Sequence, residues 1–446
     1  MPERVRIQLG DSDSYVIERY EIRQSFFQGM GAFAARVGHG GITKQLLDRY
    51  GPGAPFVVWI DVLGGGSIPQ MTGLLDDVSA EGSAGATEVN LRGRDWMAPL
   101  HDGMPNVEQT FSRATFRELT EKVLRLAGVP DFSLTTSNQA NAVAIQGAPK
   151  FGTTQIVAPL QFPDEVKRLQ ALARKRAGVS AGGDAEVARL QALAVQCMLE
   201  EEGPRVDVKK IVGYDVPNPL RLKPGQTFLS FLRPELDRAG LFLIAGVDEK
   251  NYILTQPSVD QSPAHRFVRR RGDSRGIISA KLINNTSRRH SHYTVYGRGG
   301  GGKDARKQIV GEFVDEEMVS LGLTKQWSKK DDLAKTSKQA EHLARRHAAE
   351  EARNGWYVPL TIKGHTWPLL GSESRYAVPS LDTVVELDDD EYGLHEPLWI
   401  GELAMRGDGR SEGTTTDLTL FRPRHLIFGD DVLPPKVAKK KGWQHK

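Results

Sequence analysis

The chain has 446 residues, and at roughly 100–200 residues per domain it has material for about three domains, which excludes a single small scaffold. Charged residues make up 26% and hydrophobic ones 39%, with Lys+Arg 59 against Asp+Glu 56, so the composition is ordinary for a globular protein and the net charge of +3 selects no partner. The single cysteine, Cys197, excludes an intrachain disulfide and any multi-cysteine metal site, and folding in a reducing cytoplasm is expected.

No apolar run approaches the roughly 18–20 residues of a membrane span, and the opening MPERVRIQLGDSDS lacks the apolar core of a signal peptide. Neither stable membrane insertion nor export by the usual route is expected. The 46 glycines and 24 prolines are spread along the chain. Beside short β-branched runs they imply many tight turns and a β-rich architecture.

Residues 1–112 read as a first β domain. VRIQL at 5–9, YVIERYEI at 15–22, FVVWIDVL at 56–63 and TEVNLRGRD at 87–95 are strand-like, with glycines at 64–66 and from 82 to 85 between them. A helix follows. Thr115 is placed to cap it, Glu118 to complete a capping box, and Gly128 to close it, with Phe116, Leu119, Val123 and Leu126 expected on one face.

This design recurs: TFRELTEKVLRLAG at 115–128 aligns without gaps to TFLSFLRPELDRAG at 227–240, which implies two like helix-plus-strand units. Pro234 is expected to kink or restart the second helix, because it lacks an N–H and clashes with the preceding turn. The first unit is placed in a helix-and-sheet domain at 113–215, the second in a small helix-and-sheet domain at 216–264. Within 113–215 a helical hairpin at 164–199 carries Val166, Leu169 and Leu172 on one arm and Val187, Leu190, Ala194, Cys197 and Met198 on the other. It either packs, protrudes, or docks another subunit; Cys197 reads as a small core hydrophobe.

Strands return over 265–430, a second β domain: GIISAKLI at 276–283, HYTVYG at 292–297, WYVPLTIKG at 356–364, DTVVELDD at 382–389, PLWIGELAM at 397–405 and TTTDLTLF at 414–421, interrupted by one polar helix from about 331 to 353. Residues 431–446 form a basic C-terminal tail expected to be mobile.

No motif carries catalysis. GRGGGGKD at 297–304 has the glycine and lysine spacing of a phosphate loop but puts Asp304 where Ser or Thr must ligate magnesium, and reads as a glycine loop. His290 and His292 would share a strand face with no third ligand tied to them, and His342 and His347 do not pair around a helix. Paired catalytic carboxylates, a GxSxG elbow and HExxH are absent, so no catalytic, metal-binding or cofactor-binding residue is assigned.

Local charge is more telling. Between His265 and Lys307 twelve Lys+Arg face only Asp273 and Asp304, whereas ELDDDE at 386–391 holds five acids in six residues. Such segments suit complementary faces of stacked rings, with Arg269, Arg270 and Arg271 as the ring-stacking candidates. A nucleic-acid surface competes, but the basic stretch lacks an aromatic series beyond Tyr293 and Tyr296.

Four segments in order, LRGRDWMAPLHD at 91–102, the 222–257 run LKPGQTFLSFL…AGLFLIAGVDEKNYILTQP, SRRHSHYTVYGRG at 287–299 and EPLWIGELAMRGDGRSEGTTTDLTLFRPRHL at 396–426, give the chain its resemblance. It resembles the baseplate hub proteins of contractile-tailed phages, the Mu-type tail protein P family, related to late control protein D. The resemblance covers about two-thirds of the chain; the stretch at about 131–213 departs from it. It implies a mainly β fold with α+β parts: two tube-like β-barrel domains flanking small helix-and-sheet domains and the helical hairpin insertion. It further implies a non-enzymatic homotrimer, assembled in the host cytoplasm and resident in the virion tail baseplate, whose pseudo-sixfold ring adapts a threefold central spike to the sixfold tail tube. The implied partners are the spike protein and the tube or tube-initiator protein, with tape measure and baseplate wedge proteins as further candidates, and no specific nucleic acid. The alternative is a cell-wall-degrading or wall-binding tail component.

Overall fold

The computed structural model describes residues 4–10, 13–17, 19–38, 46–62, 66–83, 86–112, 114–129, 131–137, 220–272, 276–298, 308–332, 334, 336–408 and 413–426. The helical hairpin expected at 164–199 and the tail at 431–446 lie outside the described residues, as do residues 299–307 of the glycine loop.

Seven antiparallel strands form the first lobe: β1 (Arg4–Leu9), β2 (Asp13–Ile17), β3 (Arg19–Ser25), β4 (Ala32–Gly38), β5 (Pro55–Asp61), β6 (Ser67–Ser83) and β7 (Ala86–Asp95), in the order β2-β1-β5-β6-β7-β4-β3. Period-2 patterning sets which face is buried: along β1, Val5, Ile7 and Leu9 face the core while Arg4, Arg6 and Gln8 face outward. The 15–22 run is two strands instead of the one expected, and β4 and the 17-residue β6 went unread in the sequence.

Next come α1 (Ala98–Asp102), β8 (Gln109–Phe111), α2 (Phe116–Leu126), β9 (Ser133–Ser137), β10 (Leu220–Leu222), α3 (Phe228–Arg238), β11 (Phe242–Ala245) and β12 (Asn251–Thr255). Thr115 and Glu118 make the reciprocal capping box on α2, and Thr227 caps α3 by accepting from the Ser230 N–H. In both units the glycine adopts positive φ, Gly128 at 81° and Gly240 at 65°, and the N–H of the next residue, Val129 or Leu241, returns to Leu124 or Leu236.

The duplicated units meet: β8 pairs with β10, and β9 and β11 flank β12 in one three-stranded sheet. Two expectations are corrected. Leu126 is exposed and Leu124 takes the buried place, and α3 runs unbroken through Pro234, which sits with Ser230 on its exposed face, where water can satisfy the carbonyl that loses its donor.

The remaining elements are β13 (His265–Arg269), β14 (Ile277–Ala280), β15 (Ile283–Asn284), β16 (His292–Arg298), β17 (Gln308–Val314), α4 (Glu316–Ser320), β18 (Gln326–Asp331), α5 (Ser337–Gly355), β19 (Trp356–Lys363), β20 (Trp367–Leu369), β21 (Ser372–Ala377), β22 (Val384–Asp389), β23 (Leu394–Asp408) and β24 (Gly413–Phe421). β16, β17 and β18 leave the main sheet and form their own, whose inner face of Tyr293, Val295 and Ile309 is covered by Ala340, Ala344 and Ala348 of α5. Alanines every fourth residue let that helix approach closely.

The other strands build a second lobe fused to the first. β23 pairs with β22 along Leu394–Trp399 and with β3 along Glu402–Asp408 on the same edge, while β24 takes the opposite edge. One 16-stranded sheet therefore runs through both lobes over one continuous apolar core. Each lobe curls, bringing β2 near β4 and β13 near β14. Among the described residues no strand ladder closes either lobe into a barrel.

Candidate functional site

The charged segments singled out in the sequence meet inside the chain. β13 pairs parallel with β22, setting Arg266 opposite Glu386 and Arg269 opposite Asp389. Asp389 is fully buried and accepts from Arg269 Nε at 2.8 Å and Nη2 at 3.0 Å. It also accepts from the backbone N–H groups of Glu391 and Tyr392. The Arg269 guanidinium lies 4.3 Å from the centroid of the Tyr392 ring.

Asp388 accepts from Arg266 at 2.8 Å, from Arg270 at 3.3 Å and from His395 Nδ1 at 2.6 Å. The His395 hydrogen bond first, then those from Arg270 and Arg266, hold its carboxyl below the usual carboxylate value. Much of the basic stretch is thus neutralised at home, because parallel register brings its strand beside the acidic one. Arg269 is 14% exposed and engaged, whereas Arg270 and Arg271 are exposed.

Carboxylate and imidazole atoms of Asp388, Asp390 and His395 lie within 4.8 Å of one another. Two guanidinium groups already occupy Asp388, so this cluster reads as an ion-pair network. His290 hydrogen-bonds Glu351 at 2.8 Å and His292 contacts Ser291 at 2.9 Å, so the two histidines have separate partners. The His347 ring lies tilted against Trp327, centroids 4.5 Å apart, and His342 is buried.

A second polar centre lies where the GRD string ends β7. Arg94 reaches Asp76 of β6 at 2.7 and 2.8 Å and Asp102 of α1 at 3.0 Å, and this pairing holds Asp102 down to about 2. Asp95, buried, accepts from the backbone N–H groups of Gly31 and Met97. Burial pushes its carboxyl up to about 7 against those two hydrogen bonds. Sequence reading took Gly-Arg-Asp only as a family-like string; its Arg and Asp are the parts that fasten two turns to the sheet.

The third centre is the seam between lobes. Tyr20 of β3 contacts His365, which contacts Thr416 of β24, while Arg406 of β23 bridges Glu21 and Asp417. Below it Phe26, Trp399 and Phe421 pack with Ile244 and Ile253 from the helix-and-strand units. Buried Asp382 accepts from the Ser258 backbone and hydroxyl at 2.6 and 2.7 Å and from Trp399 Nε1 at 2.8 Å. These contacts join the two lobes to each other and to the helix-and-strand units. One open cleft, about 470 Å³, is lined by Gln28, Met30, His101, Thr227, Leu229, Ser230 and Arg233.

No protein-family model matches the sequence, and no curated protein matches it. Solved structures do match in shape. The tail protein from Neisseria meningitidis superposes with a TM-score of 0.63 at 17% identity, covering 97% of this chain and 100% of that one. The 43 kDa tail protein of prophage MuSo2 from Shewanella oneidensis gives 0.60 at 14% identity, covering 95% and 100%. A chain of the Francisella PdpA-VgrG complex gives 0.51 at 10% identity, covering 95% of this chain and 58% of that one. The fold is that of phage tail proteins, and the resemblance drawn from the four sequence segments is borne out at that level.

Proposed function

We propose, from the fold shared with phage tail proteins, that this chain is a structural hub of a tail baseplate. Three copies form a ring, a central spike docks on one side and the tail tube or its initiator on the other, and the chain itself performs no catalysis. The supporting observation is a fold match over essentially the whole of both chains, joined to the presence of two curled β lobes in one polypeptide. Three chains then present six comparable lobes, which is the geometric requirement for meeting a sixfold tube. The β3–β23 ladder holds the two lobes of each chain at one fixed spacing.

In this reading the lobes correspond to residues 1–112 and to 265–430 apart from the β16–β18 sheet and α5, and ring-stacking contacts fall to the exposed Arg270 and Arg271, with Arg269 retained by Asp389. Electron-microscopy class averages of the purified chain test it: a ring with six peripheral lobes and threefold symmetry is expected. Particles with two or four lobes contradict it. Incubation with peptidoglycan releases no soluble fragments if the role is purely structural, and release favours the wall-degrading alternative.

A further inference from the structure

The two lobes share one register plan around their long strands, β6 and β23. On one edge a short strand covers only the first part of each: β5 reaches Leu74 through Pro55, and β22 reaches Trp399 through Val384. The carbonyls of the next residues, Leu75 and Ile400, accept from the N–H groups of Gly53 and Asp382, both at positive φ. One residue is then bulged in each, and the ladders with β7 and β24 resume at Asp77↔Arg92 and Glu402↔Thr419 and run to the hairpin ends at Ser83↔Ala86 and Asp408↔Gly413.

Past the bulge the lobes differ. The edge of β23 is filled by β3, from Glu402↔Ser25 to Asp408↔Arg19, whereas β6 beyond Leu75 has β7 as its only strand partner among the described residues. The counterpart of β3 in the second lobe is the run through β14 and β15. Arg19↔Arg36 and Tyr20↔Ala35 on β4 correspond to Ser279↔Thr361 and Ala280↔Leu360 on β19. The Lys281 N–H then donates to the Pro359 carbonyl, and pairing continues at Ile283↔Tyr357. No described strand lies on the outer edge of this run. Each chain therefore holds one filled joint, one matching vacant edge and one strand of the kind that fills it, and bare edges of this sort are templates for pairing with another chain.

We propose that the 279–285 run of one copy adds antiparallel to the vacant edge of β6 in a second copy, repeating the β3–β23 joint between chains. Carried over, the register sets Glu81 opposite Lys281 and Gly82 opposite Ala280. Inside the chain the corresponding positions are Arg406 opposite Glu21, an ion pair at 2.8 Å, and Gly407 opposite Tyr20. The charges have exchanged sides and remain complementary, and the glycine is kept. Ala80 is exposed where its counterpart Met405 is fully buried, and the second chain supplies the missing cover. The Ala280 carbonyl accepts from the exposed Tyr392 hydroxyl, which the incoming strand displaces. A head-to-tail joint of this type closes into a ring when its rotation permits. The inference deepens the hub reading and rests on it in one respect, that copies of the chain associate.

Lys281 turns its backbone groups toward β19, so on the outer edge it takes a non-hydrogen-bonded position, where facing Cα atoms stand about 4.5 Å apart and a disulfide can form. The full-length chain carrying Cys197→Ala, Glu81→Cys and Lys281→Cys tests the joint under mild oxidation, read on a non-reducing gel beside native mass spectrometry. A ladder of linked chains ending at three is expected, with the slipped pair Ala80→Cys and Lys281→Cys linking several-fold more slowly. A ladder running past three supports the joint and contradicts a closed ring. Trimers that stay unlinked, or equal linking of the slipped pair, overturn the joint and leave the hub reading standing; a monomer overturns both. Charge exchange gives an independent check: Glu81→Lys or Lys281→Glu alone should raise the dissociation constant several-fold, and both in one chain should restore it. Single variants without effect, or a double variant no better than either, would count against the register.

Discussion

The Tyr20 hydroxyl lies 2.6 Å from Nε2 of His365, and His365 Nδ1 lies 2.8 Å from the Thr416 hydroxyl, which itself donates to the Gly364 carbonyl. The order of donors assigns the proton of the neutral imidazole to Nδ1, so Tyr20 donates to Nε2. This buried chain crosses from the first lobe to the second. Tyr20 reaches it by lying across Gly407, its partner on β23, where an added Cβ would stand 2.3 Å from the tyrosine ring.

Tyr20→Phe is therefore expected to destabilise the protein by about 1–3 kcal/mol, the usual consequence of removing a donor from a buried acceptor. Gly407→Ala should do at least as much by displacing the ring. Denaturant unfolding measures both, and if the two act on one contact the double variant falls short of the sum.

Gly311 of β17 lies under α5, where a Cβ would meet the Glu341 amide nitrogen at 2.0 Å. Backbone cannot yield as a side-chain tip can. Gly311→Ala should lift the helix from its sheet and cost about 1–3 kcal/mol or more, read as early hydrogen exchange confined to α5 and the β16–β18 sheet.

Removing Arg269 leaves the carboxylate of Asp389 buried without its bidentate partner. Arg269→Ala should cost about 3–5 kcal/mol, as breaking one side of a buried pair does. Arg271→Ala, on an exposed side chain, should change stability by less than about 0.5 kcal/mol. Charge reversal at Arg270 and Arg271 together should weaken ring stacking while leaving the oligomer intact, as measured by sedimentation of mixtures with the tube protein.

Asp95 sets a pH dependence of definite sign. Its folded value, about 7, lies above the ordinary 3.8. The folded state therefore holds the proton longer, and this group's contribution is complete below 3.8 and is lost as pH rises through about 7. Asp102 acts oppositely: held at about 2, it supports the fold above 3.8 and that support is lost as pH falls through 2. Unfolding free energies of the wild type minus those of Asp95→Asn should decline between pH 4 and 7 and then level off; a flat difference would show that the two backbone hydrogen bonds outweigh burial.

Much of the fold was legible because its signals are local. Alternation at Val5, Ile7 and Leu9, the Thr115–Glu118 capping box and the Thr-Phe…Ala-Gly repeat each report on neighbours within a strand or a few helical turns. The seam was not legible, since Tyr20 and Gly407 meet across almost the whole chain and nothing in either strand names its partner. The β16–β18 sheet was assigned to the second β domain for the same reason: period-2 patterning states that a strand is half-buried without stating in which sheet. The charge asymmetry was seen correctly, but parallel pairing of β13 with β22 resolves much of it within one molecule.

The mass of the purified chain in solution, measured by native mass spectrometry at micromolar concentration, tests the central claim most directly. The ring account predicts a dominant species of three times the 49.2 kDa chain mass. A monomer or dimer as the dominant species would contradict it.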